Sequence, residues 1–558
     1  MDVPESPSPG GPNPQFRTAA IDAFLAGLSP WELMYLRNRL RDGRAKVAGL
    51  ASFEDLPAEL VCAIATEHLR LEDVLNCRRV SQTWRAAWDR EAVCLTLCRY
   101  FFPGLVEVHG EDREQTLARD LFLREAEQFL RRRHGKPLQK CFIVWHDAWS
   151  SGVFRNKRPE GEEENSLQGY MPNSSRNHEG PPVVYGDGKV AWRPSNTRIV
   201  IDDLRTRQRQ NCSLSQLYLS GLILDMESVT KDLLVVSARG SNTVHVWHLN
   251  LEKWRRVTLP MRCSACYAEG ERAVFVTTAS HVVSWSWGGK ALELGAKEEA
   301  DFPEKPVHRY EPPSVIWHPL CRNALFVSFV YYCGDPGIDY HGVLVIKYEE
   351  GKPIRRFTEL VMGFAVSETD LPFRPSVIQT RCQKLNSHGL YLMAAVSLED
   401  PENSISQAKT LLPVAVTSVG FNVLTETFVQ RRYLHTCRIP AENFDKTLAW
   451  KHEPFLVHNN WRAAWGDQLL IGQRYGGSCT GWFQTDYYCS WAERGGSGLE
   501  VSECQLEVNH YMRSSSRGDF YCDDDFMVFT TKLGMLVWAF CNVPELPVLQ
   551  HISDVGTH

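Results

Sequence analysis

The hydrophobic pattern divides the chain into a helical N-terminal quarter and a much longer region with the alternation of β-strands. Up to about residue 137, apolar residues recur at intervals of three and four, the spacing of one helix face. From Lys140 onward the interval changes to two and keeps that character to the C-terminus. The change predicts an α-helical unit followed by an all-β region.

Seven windows in the β region share one plan, in which a strand, a tight turn and a second strand follow each other. They begin at or near Gly188, Asp232, Arg272, Asn323 (interrupted before Gly342), Gly389, Gly466 and Asp525. Successive starts lie 40 to 77 residues apart, which brackets the length of a four-stranded propeller blade. No helical pattern separates the strands, so a parallel sheet is disfavoured. The sequence predicts a β-propeller, with seven blades preferred and six next, and a β-sandwich or stacked barrels as alternatives.

The periodicity and the turn residues also predict where the segments begin and end. Five prolines in the first fifteen residues predict disorder there, as do the acidic, Asn, Ser and Gly residues of an internal loop. The segments are a disordered tail at 1–15, a helical extension at 16–51, three short helices at 52–104, a linker helix at 105–137 and the propeller at 138–558, with the disordered loop at 155–182.

The helical extension carries a local signal for the start of a helix. Ser29 and Glu32 have the spacing of a capping box, in which each side chain binds the backbone N–H of the other residue. Pro30 occupies the first helical position, where a missing N–H costs nothing. The apolar residues predicted to form a buried stripe against the following helices are Leu33, Leu36 and Leu40.

The linker helix ends in three consecutive arginines, Arg131 to Arg133. Cations near a helix C-terminus interact favourably with the helix dipole. We therefore expect a solvated helix end, and an acidic partner for these arginines is the alternative.

The segment 52–104 contains three short helical patterns in quick succession. Pro57 fits the first turn of the first helix, and Ser81 is a predicted N-cap for the third. Trp84 and Trp88 lie one turn apart on that third helix. Helices this short bury little surface on their own, so their apolar residues are expected to complete a core against a partner.

The segment contains, in this order, Leu56, Pro57, Glu59, Leu60, Ile64, Leu69, Asp73, Leu75, Val80, Ser81, Trp84 and Arg85. In these residues and in their order it resembles the F-box motif along its whole length. The resemblance implies docking to the Skp adaptor and, through it, to the cullin and RING subunits of an SCF (Skp–cullin–F-box) ubiquitin ligase. The alternative is an ordinary three-helix element of a larger core. The residues that the resemblance presents to the adaptor or to the motif's own core are Leu56, Pro57, Leu60, Ile64, Leu69, Leu75, Val80 and Trp84.

The propeller resembles the WD-repeat class loosely. Trp247 and Trp538, each preceded by valine, stand where that family's aromatic residue falls. The Gly-His and Trp-Asp signatures of that class are missing from the sequence. With an F-box, the resemblance implies a substrate-recognition subunit whose propeller holds a protein for ubiquitination and degradation.

Composition and charge exclude several other classes of protein. The hydrophobic share of 43%, the charged share of 23% and the net charge of −6 are those of a soluble protein and give no reason to expect nucleic-acid binding. The sequence shows neither an apolar signal core near its start nor an apolar run of about 20 residues, so we expect no membrane and a cytoplasmic or nuclear location. The 17 cysteines lack a disulfide framework. Cys263 and Cys266 lack a second pair at zinc-ligand spacing.

The motifs of common catalytic sites are missing from the sequence, and we expect a non-catalytic subunit without metal or cofactor. Asp523 to Asp525 could ligate a divalent cation, but the run directly precedes a strand and fits a polar turn better. His146 and Asp147 form one adjacent pair, better explained as a strand end than as a catalytic dyad. Two other functions remain open: a propeller enzyme or small-molecule sensor, and a scaffold that works without a cullin.

The segment between Arg474 and Gly498 concentrates aromatic residues among glycines. Aromatic side chains on glycine-bounded loops are favoured binding anchors, because they offer a large area at low rotamer cost. The same rings could instead fill the core of a blade. The candidate substrate-binding residues are Trp482, Phe483, Tyr487, Tyr488 and Trp491.

Overall fold

The structure is a computed structural model of the chain. It describes residues 22–41, 53, 56–110, 117–133, 136–145, 153–156, 181–195, 197–214, 223–295, 308–335, 338–361, 374–379, 382–399, 413–436, 461–465, 468–474, 485–491, 520–530 and 534–544. The predicted tail at 1–15 and most of the predicted loop, 157–180, lie outside these ranges.

The helices of the described ranges all precede the strands. They are α1 Pro30–Arg41, α2 Ala58–His68, α3 Leu71–Cys77, α4 Gln82–Trp88, α5 Glu91–Phe101, α6 Leu105–Val108 and α7 Ala118–Arg133. We refer to α2–α7 together with Phe53 as the helical unit, because they share one hydrophobic core.

The strands occupy the rest of the described chain. They are β1 Gln139–Val144, β2 Arg155–Asn156, β3 Val183–Gly186, β4 Lys189–Ser195, β5 Arg198–Asp203, β6 Gln208–Ser213, β7 Leu224–Val229, β8 Leu233–Ala238, β9 Thr243–His248, β10 Lys253–Thr258, β11 Cys263–Glu269, β12 Arg272–Thr277, β13 Val282–Ser286, β14 Leu292–Leu294, β15 His308–Trp317, β16 Ala324–Asp335, β17 Ile338–Glu349, β18 Lys352–Val361, β19 Arg374–Gln379, β20 Gln383–Lys384, β21 Leu390–Glu399, β22 Pro413–Asn422, β23 Thr427–Thr436, β24 Trp461–Trp465, β25 Gln468–Arg474, β26 Thr485–Trp491, β27 Phe520–Cys522, β28 Phe526–Thr530 and β29 Gly534–Ala539.

The strands form successive sheets in which most strands pair with their neighbours in the sequence. Sheets such as β7–β10, β11–β14 and β15–β18 are antiparallel meanders of four strands. The last sheet is completed by the first strand, because β1 pairs with β29 from Gln139–Ala539 to Val144–Gly534. This pairing of the two ends of the region closes the order of sheets, as a propeller requires.

Turns between the first and second strands of neighbouring sheets bind each other around one end of the region. Thr230 Oγ1 donates to the Gly270 carbonyl at 2.8 Å, and the Lys231 N–H donates to Asp187 at 3.2 Å. The Gly188 N–H donates to Asp523 at 3.1 Å, which links the last sheet to the sheet of β3–β6. Because equivalent turns of neighbouring sheets bind each other, these sheets have the same orientation around a ring. We call the end of the region that carries these turns the turn end. The region is propeller-like.

Where burial is described, the middle strands of the sheets are mostly buried on both faces. Every residue of β8, β28 and β29 is buried, whereas β7 is buried only at its two ends and β10 is mostly exposed. The predicted windows correspond to these second and third strands. The window from Asn323 is continuous, because β16 and β17 pair from Ala324–Glu349 to Asp335–Ile338.

Two predictions about the described residues need correction. Arg155 and Asn156, assigned to the disordered loop, form β2 and pair in parallel with β6. Leu33 of the predicted buried stripe is 40% exposed, because the core of the helical unit includes no residue of α1. Leu36 is half-buried, and the side chain of Leu40 lies outside the described part of the chain.

The described residues form seven sheets. The predicted number of seven blades stays a prediction, since residues outside the described ranges connect the strands of the sheet β24–β26.

The closing strand gives the first prediction. Ile143 is 2% exposed in the core that β1 shares with β28, β29, β4 and β5, so Ile143→Ala should cost about 2–5 kcal/mol of unfolding free energy. Leu138, just before β1, is 41% exposed, and Leu138→Ala should change stability little. Urea titrations of both variants measure the difference. Equal midpoints would show that β1 does not hold the ring closed.

Candidate functional site

Local sequence signals set the starts of the helices as expected. The Ser29 N–H donates to Glu32 Oε2 at 2.8 Å and the Glu32 N–H donates to Ser29 Oγ at 3.4 Å, which confirms the capping box. The Trp84 N–H donates to Ser81 Oγ at 3.1 Å, which confirms the predicted N-cap of α4. Pro57 is the N-cap residue of α2, with its helix starting one residue later.

The core of the helical unit is built from α2, α3, α4, α5, α6 and α7. Its fully buried members include Val61, Val74, Trp88 and Leu97, and Phe53 stacks on Trp84 with ring centroids 4.2 Å apart. The linker helix α7 contributes to the same core and contacts α5. The linker is therefore an integral part of the helical unit.

The eight residues implied by the F-box resemblance divide between this core and the surface. Four of them are half-buried and pack on the core: Leu56, Leu69, Leu75 and Trp84. Pro57 is exposed, Leu60 is 51% exposed and Val80 is 64% exposed, while Ile64 is half-buried. We call Pro57, Leu60 and Val80 the exposed apolar set.

A buried ion pair attaches the helical unit to the turn end of the propeller-like region. The Arg132 guanidinium lies 2.7 Å from Asp524 Oδ1 and 3.4 Å from Glu125 Oε1, and the Arg132 side chain is 5% exposed. Gln128 Nε2 donates to the Asp524 carbonyl at 2.7 Å. Burial opposes the ionisation of Asp524, but Arg132 and His388 hold the pKa of this carboxyl down at about 2. The site is an interdomain joint.

A second contact of the same joint is made by close backbone approach. Asn422 Nδ2 donates to the carbonyls of Pro103 and His388 at 2.9 and 3.2 Å. Gly104 has φ +92°, and a Cβ there would lie 2.1 Å from the His388 carbonyl oxygen. His388 Nε2 lies 3.5 Å from Glu125 Oε2. The sequence gives no local signal for this joint, because its partners are far apart along the chain.

This joint corrects one sequence interpretation and agrees with another, the polar turn at Asp523 to Asp525. Arg132 does not form a solvated helix end but binds Asp524 of the propeller-like region and Glu125 of its own helix. Arg131 lies 3.7 Å from Glu127. Asp523 and Asp524 are each committed to structural contacts, since Asp523 accepts from the Tyr185 hydroxyl at 2.6 Å. No cluster of metal-ligating side chains occurs in the described ranges.

The predicted substrate-binding residues are only partly described. Tyr487, Tyr488 and Trp491 lie in β26, and Tyr488 is paired with Ile471 of β25. Trp482 and Phe483 lie outside the described residues, in the connection from β25 to β26. Their role in binding stays a prediction.

A charged cluster lies where first strands meet the turn end. The pKa of Lys384 is raised chiefly by Tyr391, with Glu269 and Asp187 adding to the effect. Burial raises the pKa of Glu269. The lysine therefore stays protonated at neutral pH and cannot act as a general base.

Two further sequence expectations bear on chemistry. Cys263 and Cys266 lie in β11, and burial raises the pKa of the Cys263 thiol to about 12, so this thiol stays protonated at neutral pH. His146 and Asp147 lie outside the described residues.

Among the helices of the described ranges, none combines the length and the apolar character that a membrane crossing requires.

Comparisons with known proteins do not assign the chain to a family. No protein-family model matches the chain, and no curated protein sequence matches it. The beta-propeller domain of Cps50 (Swd1) from Myceliophteria thermophila is similar at 10% identity, covering 65% of this chain and 97% of that chain with a TM-score of 0.34. The WD40 domain of SCAP from fission yeast has 9% identity, covering 63% of this chain and 82% of that chain, with a TM-score of 0.30.

Because both TM-scores are low, the class of the protein rests on its own topology. Consecutive antiparallel sheets, the closing pair β1–β29 and the linked turns define a propeller-like region. The core of the helical unit and its buried joint define the second part. The chain is a helical unit fixed to one end of a propeller-like region.

Removing one partner of the joint gives a prediction. Arg132→Met leaves Asp524 and Glu125 buried without their cation and should cost about 3–5 kcal/mol of unfolding free energy. Arg131→Met is the matched control, since its pair with Glu127 is half exposed and is worth about 0.5 kcal/mol at most. Urea unfolding gives the energies, and small-angle scattering should show a larger radius of gyration for Arg132→Met alone. A scattering curve unchanged from that of the parent chain would argue against the joint.

The depressed pKa of Asp524 predicts a pH dependence. A carboxyl whose folded pKa is about 2, against an ordinary value of 3.8, stabilises the folded state above that ordinary value. This contribution is lost as the pH falls from 3.8 to about 2. The stability gap between the parent chain and Asp524→Asn, measured by urea unfolding, should therefore shrink over that interval. A gap that stays constant across it would contradict the assignment.

Proposed function

We propose that the protein is a substrate-recognition subunit of an SCF ubiquitin ligase, in which the helical unit binds the Skp adaptor and the propeller-like region binds the substrate. The observation that carries the proposal is the exposed apolar set, on a segment whose sequence resembles the F-box from Leu56 to Trp84. Leu60 and Val80 are more than half exposed and do not belong to the described core of the helical unit. Apolar side chains of this kind are expected at a protein interface.

The position of the joint supports a division of roles between the two ends of the propeller-like region. The helical unit contacts the turn end through Asp524, His388 and Asn422. The connections between second and third strands lie at the opposite end, where a partner can bind without meeting the helical unit. The protein then holds its substrate at a set orientation while other subunits transfer ubiquitin, which raises the effective concentration of the substrate.

Two alternatives differ from this proposal in what they require. A propeller enzyme or small-molecule sensor needs a reactive group in a cleft, and the protonated Lys384 does not provide a base. A scaffold without a cullin would bind the Skp adaptor through the same exposed apolar set but would not recruit the ligase. We propose a cytoplasmic or nuclear location for all three functions.

The adaptor surface is tested by placing a charge on it. Leu60→Glu puts a carboxylate into the proposed interface and should weaken adaptor binding by about 2 kcal/mol or more, roughly thirtyfold. The fold should survive, because the side chain is 51% exposed. Leu117→Glu is the matched control, since Leu117 is 59% exposed just before α7 and lies outside the F-box segment. Purified Skp adaptor binding, measured by calorimetry, should fall only for Leu60→Glu.

Two outcomes would change the proposal. Adaptor binding by Leu60→Glu equal to that of Leu117→Glu, with unchanged thermal midpoints, would falsify the F-box assignment. Recovery of the adaptor without a cullin, when the full chain is purified from cells, would favour the scaffold.

A further inference from the structure

One face of the outer strands β9 and β10 differs from the rest of the sheet. His245 lies directly opposite Arg256, and Trp247 lies directly opposite Trp254, so these four side chains share one face. The other face carries Val244 and its neighbours, which fill the core toward the next sheet. We call His245, Trp247, Trp254 and Arg256 the outer groove, because they line the outer edge between the sheets of β3–β6 and β7–β10.

Two polar atoms of the outer groove are buried without a partner. The Nε2 atom of His245 and the Nε1 atom of Trp247 make no hydrogen bond within the part of the chain that the structure describes. His245 is only 7% exposed. Leaving a buried donor or acceptor unpaired is costly, so two such atoms on one face indicate that a ligand completes them.

Aromatic rings surround these two atoms and remain partly open to solvent. The rings of Trp247 and Trp254 meet edge to face with centroids 4.8 Å apart, and the His245 ring lies 6.4 Å from that of Trp254. Both tryptophans are half-buried and pack on the core that includes Cys212 of the neighbouring sheet. The outer groove thus combines two partly exposed indole rings with two buried polar atoms that have no partner.

The two strands that carry the outer groove are positively charged. Neither β9 nor β10 contains an aspartate or glutamate, while β10 exposes Lys253, Arg255 and Arg256. Glu252 lies in the turn between the two strands. Burial lowers the pKa of His245, and the Arg256 guanidinium adds to this effect. The Trp247 N–H and the Arg256 guanidinium can only donate hydrogen bonds, so an anionic acceptor is favoured as the ligand.

We propose that the outer groove binds the carboxylate side chains of an acidic, extended peptide segment. The Trp247 N–H and the Arg256 guanidinium donate to the carboxylate, and His245 donates through Nε2 when it is protonated. The rings of Trp247 and Trp254 hold the neighbouring apolar part of the segment. The inference deepens the proposed function by naming the class of substrate segment, and it rests on that function for its consequence in ubiquitination.

Peptide binding is measured on the full chain without any adaptor. A failure to bind the peptide would therefore not bear on the F-box assignment. The probes are a fluorescent ten-residue peptide rich in Asp and Glu and its Asn and Gln counterpart, followed by anisotropy. Trp247→Phe keeps a ring but removes the N–H, and Arg256→Gln removes the cation, so each should weaken the acidic peptide roughly tenfold. Arg255→Gln is the matched control, since this arginine faces the other side of β10 and lies over the Trp287 ring at 5.3 Å.

The pH dependence separates site binding from general attraction. Because burial holds His245 neutral, an anion that pairs with it favours its protonation, and affinity should rise between about pH 7.5 and about pH 5.5. His245→Phe should remove this rise without lowering the thermal midpoint. Equal affinity for the two peptides, equal loss in Arg255→Gln and Arg256→Gln, or equal affinity for a single-stranded RNA of the same charge would overturn the proposal.

Discussion

The ion pair between Arg132 and Asp524 is the contact on which the relation between the two parts depends. The Arg132 side chain is 5% exposed and the Asp524 side chain 17% exposed, so water can replace little of either charge's partner if the other is removed. Such a pair adds little net stability over an apolar contact of the same size, but breaking it costs about 3–5 kcal/mol. Its main effect is on specificity, because an arginine pairs with a buried carboxylate in a narrow range of orientations. The joint thereby fixes the orientation of the helical unit.

The three consecutive aspartates extend this effect into the ring of sheets. Asp523 binds Tyr185 and Gly188 of the neighbouring sheet, Asp524 binds Arg132 and the Ser387 N–H, and Asp525 binds Arg205. One turn therefore contacts the first sheet, the sheet of β19–β23 and the helical unit. The turn that links neighbouring sheets through Asp523 also binds the helical unit through Asp524, so movement of one part is resisted by the other. A rigid connection of this kind suits a protein that we propose to position a substrate.

Sequence patterns predicted those features whose causes are local. Ser29 and Ser81 cap helices within three residues, and the fully buried windows such as Leu233–Ala238 carry a continuous apolar signal. The first and fourth strands were missed, because β7 is half-buried and β10 is mostly exposed. The acidic partner of Arg132 could not be found by spacing, since it lies 392 residues away. The outer groove could not be predicted for a similar reason, because the register that places Arg256 beside His245 exists only in the folded sheet.

The closing pair of β1 and β29 sets an order for folding during synthesis. The strand β1 directly follows the helical unit, yet its partner β29 and the Asp524 turn are among the last described parts of the chain to be made. At typical rates of translation, the 392 residues between Arg132 and Asp524 take about 20 to 80 seconds to emerge. Throughout that interval the helical unit lacks the Asp524 part of its docking surface, and β1 has no partner strand. A ribosome that stalls before β28 leaves a product that can neither close its ring nor orient its helices, so completion of the chain is itself the step that assembles the joint.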